Sequence, residues 1–214
     1  MANLVDLGFK KGTISETILS TYNPDGSPNA APMGVILKDP QHLTLNIFNS
    51  SATLANVKTR GSAVVNVTDN IEVYFRTAIK EANPDGKLPE EWFAKAAVVN
   101  APKLCLAKAS VEVSLIDLVK GAEKTRAVFT VTRVHGEKGF PQVYCRAFGL
   151  TLEAIVHATR VKVLAVDPKE HSRMGGLLRK IHDCDVLVSR VAPNSSYSAV
   201  MADLTKRVDE WGQK

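Results

Sequence analysis

The chain has 214 residues, of which 45% are hydrophobic and 23% are charged, and its formal net charge is +5. This composition is typical of a globular protein with room for one full hydrophobic core, or for a core domain and a smaller appendage. It excludes membrane-spanning helices, because no apolar run approaches the roughly 20 residues that a helix needs to cross a bilayer.

Short runs of alternating or apolar residues between residues 14 and 67 predict four strands, ETILSTY, AAPMGVILK, HLTLNIF and SAVVNVT. The NPDG turn after the first run predicts a hairpin, because Pro presets φ and Gly tolerates a positive φ. SSATLANVKTRG predicts a short helix between the third and fourth strands, with Ser50 or Ser51 as N-cap and Gly61 as the stop.

The region from residue 70 to residue 103 is mixed, and DNIEVYFRTAIKE fits a helix or a strand. Pro89 followed by Glu90 and Glu91 predicts a helix start. The runs CLAKASVEVSLIDLVK and TRAVFTVTRVHG predict two long strands, which the intervening GAEK joins as a hairpin.

From about residue 147 the pattern becomes helical, with three helices in FGLTLEAIVHATRVKVL, PKEHSRMGGLLRKIHDCDVLVSRV and SSYSAVMADLTKRVDEWGQK. The sequence therefore predicts a mainly β (α+β) protein. We expect an antiparallel β domain over residues 1–145 and a helical C-terminal subdomain over residues 146–214, packed on the β domain.

Cysteine use and the N-terminus indicate the compartment. Cys105, Cys145 and Cys184 lie about 40 residues apart and form no CxxC pair, which favours free thiols over a disulfide framework or a zinc site. MANLVDLGFKKG has no apolar export segment. We expect a cytoplasmic protein that does not bind a membrane.

Nucleic acid is not an expected partner. The basic cluster at residues 171–183 has no interleaved aromatic residues for stacking, and aromatics make up only 6% of the chain. A solvated helix face explains this cluster, and an anionic small ligand would suit the net charge equally well.

Common catalytic motifs are absent: the sequence contains no GxGxxG, Walker A, HExxH or GxSxG. Glu153 and His157 are four residues apart on a predicted helix, but two ligands are too few to close a metal site. A hydrogen bond on the helix surface, or a contact between domains, is the favoured interpretation of this pair, and no metal is predicted.

Two segments favour a ligand. NAAPMG places small residues and a proline in a predicted strand, so little side-chain area covers the backbone there. NSSAT ends a strand and starts a helix, where hydroxyls and free N–H groups form an anion site to which Lys58 could add charge. Each segment alone also fits an ordinary edge strand or an ordinary helix cap.

Together, the hairpin, PNAAPMGV, the strand ending NIF, TLANVKTRG and AVVNVTDN resemble the flavin-reductase-like split β-barrel. ETILSTYNPDGSPNAAPMGV and the later LEAIVHATR resemble more closely a mainly archaeal family of FMN-binding split-barrel proteins, in the superfamily of pyridoxamine-phosphate oxidase. Family members often carry NRA where this chain has Cys145-Arg146-Ala147, so a role for that asparagine does not carry over.

The resemblance implies an antiparallel split β-barrel with a helical tail, FMN as cofactor, and a homodimer with FMN near the subunit interface. The residues that it assigns to the flavin ring are Asn29, Ala30, Ala31, Pro32 and Met33. Those that it assigns to the ribityl chain and phosphate are Asn46, Phe48, Asn49, Ser50, Ser51 and Thr53, with Lys58 as counter-charge. It assigns His157 and Arg160 to closing the pocket, and the weaker candidates are Asn66, Thr68 and Asp69.

The function implied is an oxidoreductase of flavin-reductase type with NAD(P)H as the candidate electron donor. The cofactor would carry the electrons, and no side chain is an evident proton donor, His157 being the one candidate. Two alternatives stay open: a non-catalytic FMN carrier or electron-transfer protein, and a binding module built on an empty barrel.

Overall fold

The structure is a computed structural model that describes residues 3–9, 11, 14–136, 146–166 and 170–212. Contacts group these residues into two compact units. The first extends to residue 70 and resumes at residue 83, and the second takes in residues 71–82 and the residues from 146 onward. The segment 71–82, which the sequence analysis placed in the β domain, thus belongs with the helices. That the helical subdomain packs on the barrel remains a prediction.

Six of the described strands close an antiparallel barrel, so the predicted antiparallel β domain is confirmed. These strands are β1 (Ile14–Tyr22), β2 (Pro28–Asp39), β3 (His42–Phe48), β4 (Ser62–Val67), β7 (Ala109–Lys120) and β8 (Lys124–Gly136). Two short strands, β5 (Phe93–Lys95) and β6 (Pro102–Leu104), form a separate ribbon. The strand order around the barrel is β1-β2-β3-β8-β7-β4.

The inward-facing side chains of the strands fill the interior of the barrel. Val111, Val113 and Phe129 are fully buried in the main core cluster, because every second residue of β7 and β8 points inward. The hairpin turn between β1 and β2 forms as predicted, with Gly26 at a φ of 86° and Tyr22 opposite Pro28.

In the part of the chain that the structure describes, one edge of β2 is unpaired along the start of the strand. Residues 28–36 of β2 pair with β1, whereas pairing with β3 begins only at Val35. Among the described strands, residues 28–34 are therefore hydrogen-bonded on one side alone. Pro32 lies in this half-paired stretch, where a missing N–H costs least.

The helix predicted after Pro89 is a single 3₁₀ turn, Glu90–Trp92. It ends there because Phe93 pairs with Leu104 in the β5–β6 ribbon. Next to this ribbon, Ala96 and Val99 form a small buried cluster with Val64 of β4.

The second unit is helical. It contains α2 (Ile71–Ala78), α3 (Ala147–Leu164), α4 (His171–Val191) and α5 (Ser196–Gly212). The ambiguous segment after residue 70 is thus a helix, and its Tyr74 meets Phe148 of α3 edge to face, with ring centroids 5.8 Å apart. Ser195 caps α5 by accepting a hydrogen bond from the N–H of Ser198 at 3.3 Å. Within the described residues, no helix combines the length and the apolar character that a membrane span requires.

Candidate functional site

The helix α1 (Ala52–Arg60) begins where β3 ends, and its N-terminus leaves backbone donors available. Ser51 is the N-cap: its Oγ accepts a hydrogen bond from the N–H of Leu54 at 3.2 Å and donates to the carbonyl of Phe48 at 2.8 Å. The N–H groups of Ala52 and Thr53 have no hydrogen-bond partner among the described residues. Together with the positive end of the helix dipole, these two N–H groups can bind an anion.

A buried polar network ties α1 to the half-paired stretch of β2. Asn29 donates from Nδ2 to Oγ1 of Thr53 at 3.3 Å and to Oγ1 of Thr21 at 3.2 Å. Asn56, one turn after Thr53, donates to the same Thr21 oxygen at 3.1 Å. Asn29 from the predicted ring set and Thr53 from the predicted phosphate set are thus held together by their side chains.

Sequence reasoning did not single out Thr21, Asn56 or Arg60. Arg60 donates from Nη2 to the carbonyl of Asn23 at 2.9 Å, and its Nε is buried without a partner among the described residues. The available signal was the spacing of Thr53, Asn56 and Arg60, which places all three on one face of a helix.

The residues predicted to contact the flavin ring differ in solvent exposure. Asn29 and Ala30 are buried, whereas Ala31, Pro32 and Met33 are half-buried on the part of β2 with the open edge. Met33 also packs against the main core, and its carbonyl accepts a hydrogen bond from Thr17.

The other residues predicted for the ribityl chain and phosphate lie at the end of β3 and on α1. Phe48 is 53% exposed, and Nζ of Lys124 stands 4.2 Å from its ring centroid. Asn49 is occupied within the fold, because its Nδ2 donates to the carbonyls of Gly121 and Ala122 in the β7–β8 turn. The other exposed positions in this set are Asn46, Ser50 and Lys58, the last of them in the final turn of α1.

The weaker candidates, at the end of β4 and just after it, make hydrogen bonds and an ion pair within the fold. All of the Asn66 amide is engaged in internal hydrogen bonds, Thr68 bonds to Leu106 and Asn70, and Asp69 pairs with Lys108.

His157 and Arg160 lie on α3, in the helical unit. His157 is only 4% exposed; its Nε2 lies 3.3 Å from Oε1 of Glu153, and its Nδ1 has no partner among the described residues. Burial lowers the pKa of His157, Glu153 opposes this effect, and Lys180 and Arg160 add to it. The predicted role of His157 and Arg160 in closing the pocket stays a prediction.

We expect His157 to make stability depend on pH. Because its folded pKa is lowered, acid protonates the unfolded chain first, and stability is lost as the pH falls below about 6.5. Replacing His157 by Gln should flatten the dependence of helix unfolding on pH between about pH 5 and pH 7, measured by circular dichroism. The exposed His182 of α4, replaced by Gln, serves as the control. An unchanged pH profile in H157Q would contradict the assignment.

We expect the cap of α1 to contribute measurably to stability. Replacing Ser51 by Ala removes the bond to the N–H of Leu54 and should lower the free energy of unfolding by about 1 kcal/mol. Replacing the exposed Ser50 by Ala, which removes no hydrogen bond among the described residues, should leave it unchanged in urea denaturation. Equal effects of the two changes would refute Ser51 as the cap.

Two clefts lie in the first unit. One of about 1320 Å³ is bordered by residues 94–110 and the end of β8, and one of about 410 Å³ lies between the β1–β2 turn and β5. Neither is lined by the residues predicted for FMN, whose positions form an edge and a helix end on the surface instead.

Comparison with solved structures identifies the fold. The FMN-bound protein MM1853 from Methanosarcina mazei is 24% identical, with a TM-score of 0.77 over 96% of this chain and 100% of that one. A split-barrel protein from Shewanella frigidimarina, assigned as a flavin reductase, is 16% identical, with a TM-score of 0.51 over 64% and 75%. An FMN-binding protein from Thermus thermophilus is 14% identical, with a TM-score of 0.50 over 61% and 74%. The predicted split β-barrel with its C-terminal helices is therefore confirmed.

The family can also be stated. The family described as "Protein of unknown function (DUF447) N-terminal domain" matches residues 15–154, which include the whole of the barrel's β1–β8 region apart from its first residue. Because this match spans well over half of the chain, and because the FMN-bound Methanosarcina protein carries the same family assignment, this protein belongs to the DUF447 family.

Proposed function

We propose that this protein is an FMN-binding flavoprotein that holds the FMN phosphate at the start of α1 and the flavin ring along the half-paired stretch of β2. The main observation behind this proposal is the hydrogen bond between Asn29 and Thr53. It joins the start of α1 to the half-paired stretch of β2, although the two lie apart in sequence. The fold shared with the FMN-bound Methanosarcina protein supports the same proposal.

The residues present fit FMN. The available N–H groups of Ala52 and Thr53 match a phosphate dianion, and the hydroxyl of Ser50 adds a polar group beside them. The small side chains at 30 and 31 let a flat ring approach the backbone, and Met33 offers an adaptable thioether contact.

Each group then has a physical task. The N–H groups of α1 bind and orient the phosphate, and the network through Thr21 and Asn56 fixes the distance between α1 and β2. Backbone N–H groups on the open edge of β2 are suited to hydrogen-bonding the polar edge of the ring. FMN, when bound, supplies hydride and electron transfer. The finer proposal is an oxidoreductase of flavin-reductase type that accepts electrons from NAD(P)H.

Proline at position 52 tests the phosphate site. Ala52 is the exposed first residue of α1 and follows an extended Ser51, so a proline there keeps the helix while removing one N–H donor. We expect A52P to weaken FMN binding by roughly tenfold or more, the value of one hydrogen bond to a charged group. Riboflavin, which lacks the phosphate, should bind A52P and the native chain equally. Flavin absorbance and fluorescence titrations measure both.

The control is A52S, which keeps the N–H and should bind FMN normally. Failure of the native chain to bind FMN would remove the proposal and leave the empty binding module. If FMN binds, mixing with NADH and NADPH separates the two flavin functions: catalytic reduction supports the oxidoreductase, and its absence supports the FMN carrier.

We propose further that the protein is a homodimer. Phe48 and Val119 lie on the outward face of β3, β8 and β7 and are 53% and 44% exposed, which is a reason for a second copy to cover them. We expect F48D to shift the native mass measured by light scattering from dimer to monomer. A native chain that is monomeric at micromolar concentration would refute the dimer.

A further inference from the structure

The outer face of β7 and β8 carries a second polar cluster, separate from the residues proposed for FMN. Ser110 lies opposite His135, and Glu112 lies opposite Arg133, so these four side chains share one face of the sheet. Because Val111 and Val113 point into the core, the shared face is the outer one. His135 and Arg133 line the cleft of about 1320 Å³.

Glu112 is a buried carboxylate that accepts hydrogen bonds from backbone N–H groups. Its side chain is completely buried, and it accepts hydrogen bonds from the N–H groups of Ala97, Val98 and Val99 at 3.0, 2.7 and 2.9 Å. Burial alone would raise the pKa of Glu112, but these bonds and His135 outweigh it and hold the pKa below its ordinary value. The group is therefore an anion at neutral pH.

His135 is oriented by this anion. Its Nε2 lies 2.6 Å from Oε1 of Glu112, and since an ionised carboxylate only accepts, Nε2 carries a proton and donates. The side chain is 28% exposed at the wall of the cleft, and Nδ1 has no partner among the described residues. The hydrogen bond fixes the orientation of the ring and leaves Nδ1 as the atom available to a ligand.

The rest of the cleft is cationic and partly apolar. Lys103 and Arg133 form no ion pair within the described part of the chain, whereas Lys108 is paired with Asp69. The carboxylate of Glu112 is already engaged by the hydrogen bonds described above. Cys105 is the remaining titratable residue among those that line the cleft. Val98, which is 59% exposed, adds an apolar surface.

We propose that this cleft binds a small organic anion, with Lys103 and Arg133 holding its carboxylate or phosphate group, and the His135 ring and Val98 contacting its apolar body. Glu112 is a positioning residue, because it acts on the ligand only through the imidazole. This site does not depend on the proposed FMN function, since it uses none of the same residues.

Benzoate and its uncharged isostere benzamide are the probes. In the full-length chain with FMN added, the imidazole Cε1–Hε1 signal of His135 is followed by NMR and assigned with H135Q. We expect benzoate to shift this signal saturably and benzamide to leave it unmoved. The double variant K103Q/R133Q, which keeps His135 as reporter, should bind benzoate at least roughly tenfold more weakly, as expected for the loss of a charge-assisted contact. The same titration with inorganic phosphate tests the second head group.

A matched double variant, K38Q/K120Q, removes two exposed lysines that do not line the cleft and should bind benzoate like the native chain. The proposal is overturned if no saturable shift of His135 occurs with either anion, if benzamide binds as well as benzoate, or if K103Q/R133Q retains native affinity. Loss of FMN binding in A52P with benzoate binding retained would show that the two sites are independent.

Discussion

Replacing Glu112 by Gln lowers the free energy of unfolding by roughly 3 kcal/mol, because one amide NH2 group then faces hydrogen-bond donors in a fully buried place. The native carboxylate accepts three backbone N–H bonds and one from His135, and an amide can accept on one atom only. Urea denaturation at neutral pH measures the difference.

The pH dependence distinguishes this cause from a simple packing defect. Since the folded pKa of Glu112 is lowered, its contribution is present above the unfolded value of about 4.3 and is lost as the pH falls through the folded pKa. The stability curves of E112Q and the native chain should therefore converge in acid. E123Q, at an exposed position of the β7–β8 turn, should change stability by less than about 0.5 kcal/mol. A constant gap between E112Q and the native chain at every pH would contradict the role assigned to the carboxylate.

The second large effect is expected at Asn66, which is completely buried on β4. Its Nδ2 donates to the carbonyls of Ile18 and Val64 and to the hydroxyl of Ser20, and its Oδ1 accepts the N–H of Leu104. In N66D, an acceptor replaces the donor that faces two carbonyls. We expect this change to cost roughly 4 kcal/mol at neutral pH.

The penalties of N66D and E112Q both grow as the pH rises, but a raised pKa in the variant causes the first and the lowered pKa of the native Glu112 causes the second. Burial and the carbonyls raise the folded pKa of the new carboxyl, so the penalty is small below about pH 3.9 and grows as the pH rises. Chemical denaturation between acid and neutral pH measures this growth relative to the native chain. The isosteric change at the exposed Asn46, N46D, controls for added charge and should be nearly neutral. Equal penalties for N66D at acid and neutral pH would argue against the buried amide network.

Local features of this fold could be predicted because they depend on neighbouring residues. The turn at Gly26, the cap at Ser51 and the stop at Gly61 each need only a few adjacent positions, and all three form as expected. The bounds of β3 were predicted to the residue for the same reason, since its alternation is regular and turn residues flank it.

Features that depend on distant segments were not predictable in the same way. The alternation VEVS places Glu112 on the face opposite Val111 and Val113, but it does not say that residues 97–99 return to cover that face. The spacing of Glu153 and His157 likewise predicted a hydrogen bond on the helix surface or a contact between domains, but not the burial of His157, because an apolar helix offers more than one plausible inward face. Within the candidate site, the predicted Asn29 and Thr53 bond directly to each other, and Thr21 and Asn56 support this contact in a way that appears only in three dimensions.

The order of strands in the barrel also constrains how the chain is made. β3 is complete at Phe48, yet its second neighbour, β8, begins at Lys124, about 75 residues later. At the usual pace of protein synthesis this gap lasts roughly 4 to 15 s, during which the backbone edge of β3 has no partner strand. β4 waits in the same way for β7. Newly made chains therefore expose two strand edges to one another before the barrel can close. Slower synthesis at lower temperature leaves fewer such chains present at once. We expect it to raise the yield of folded protein.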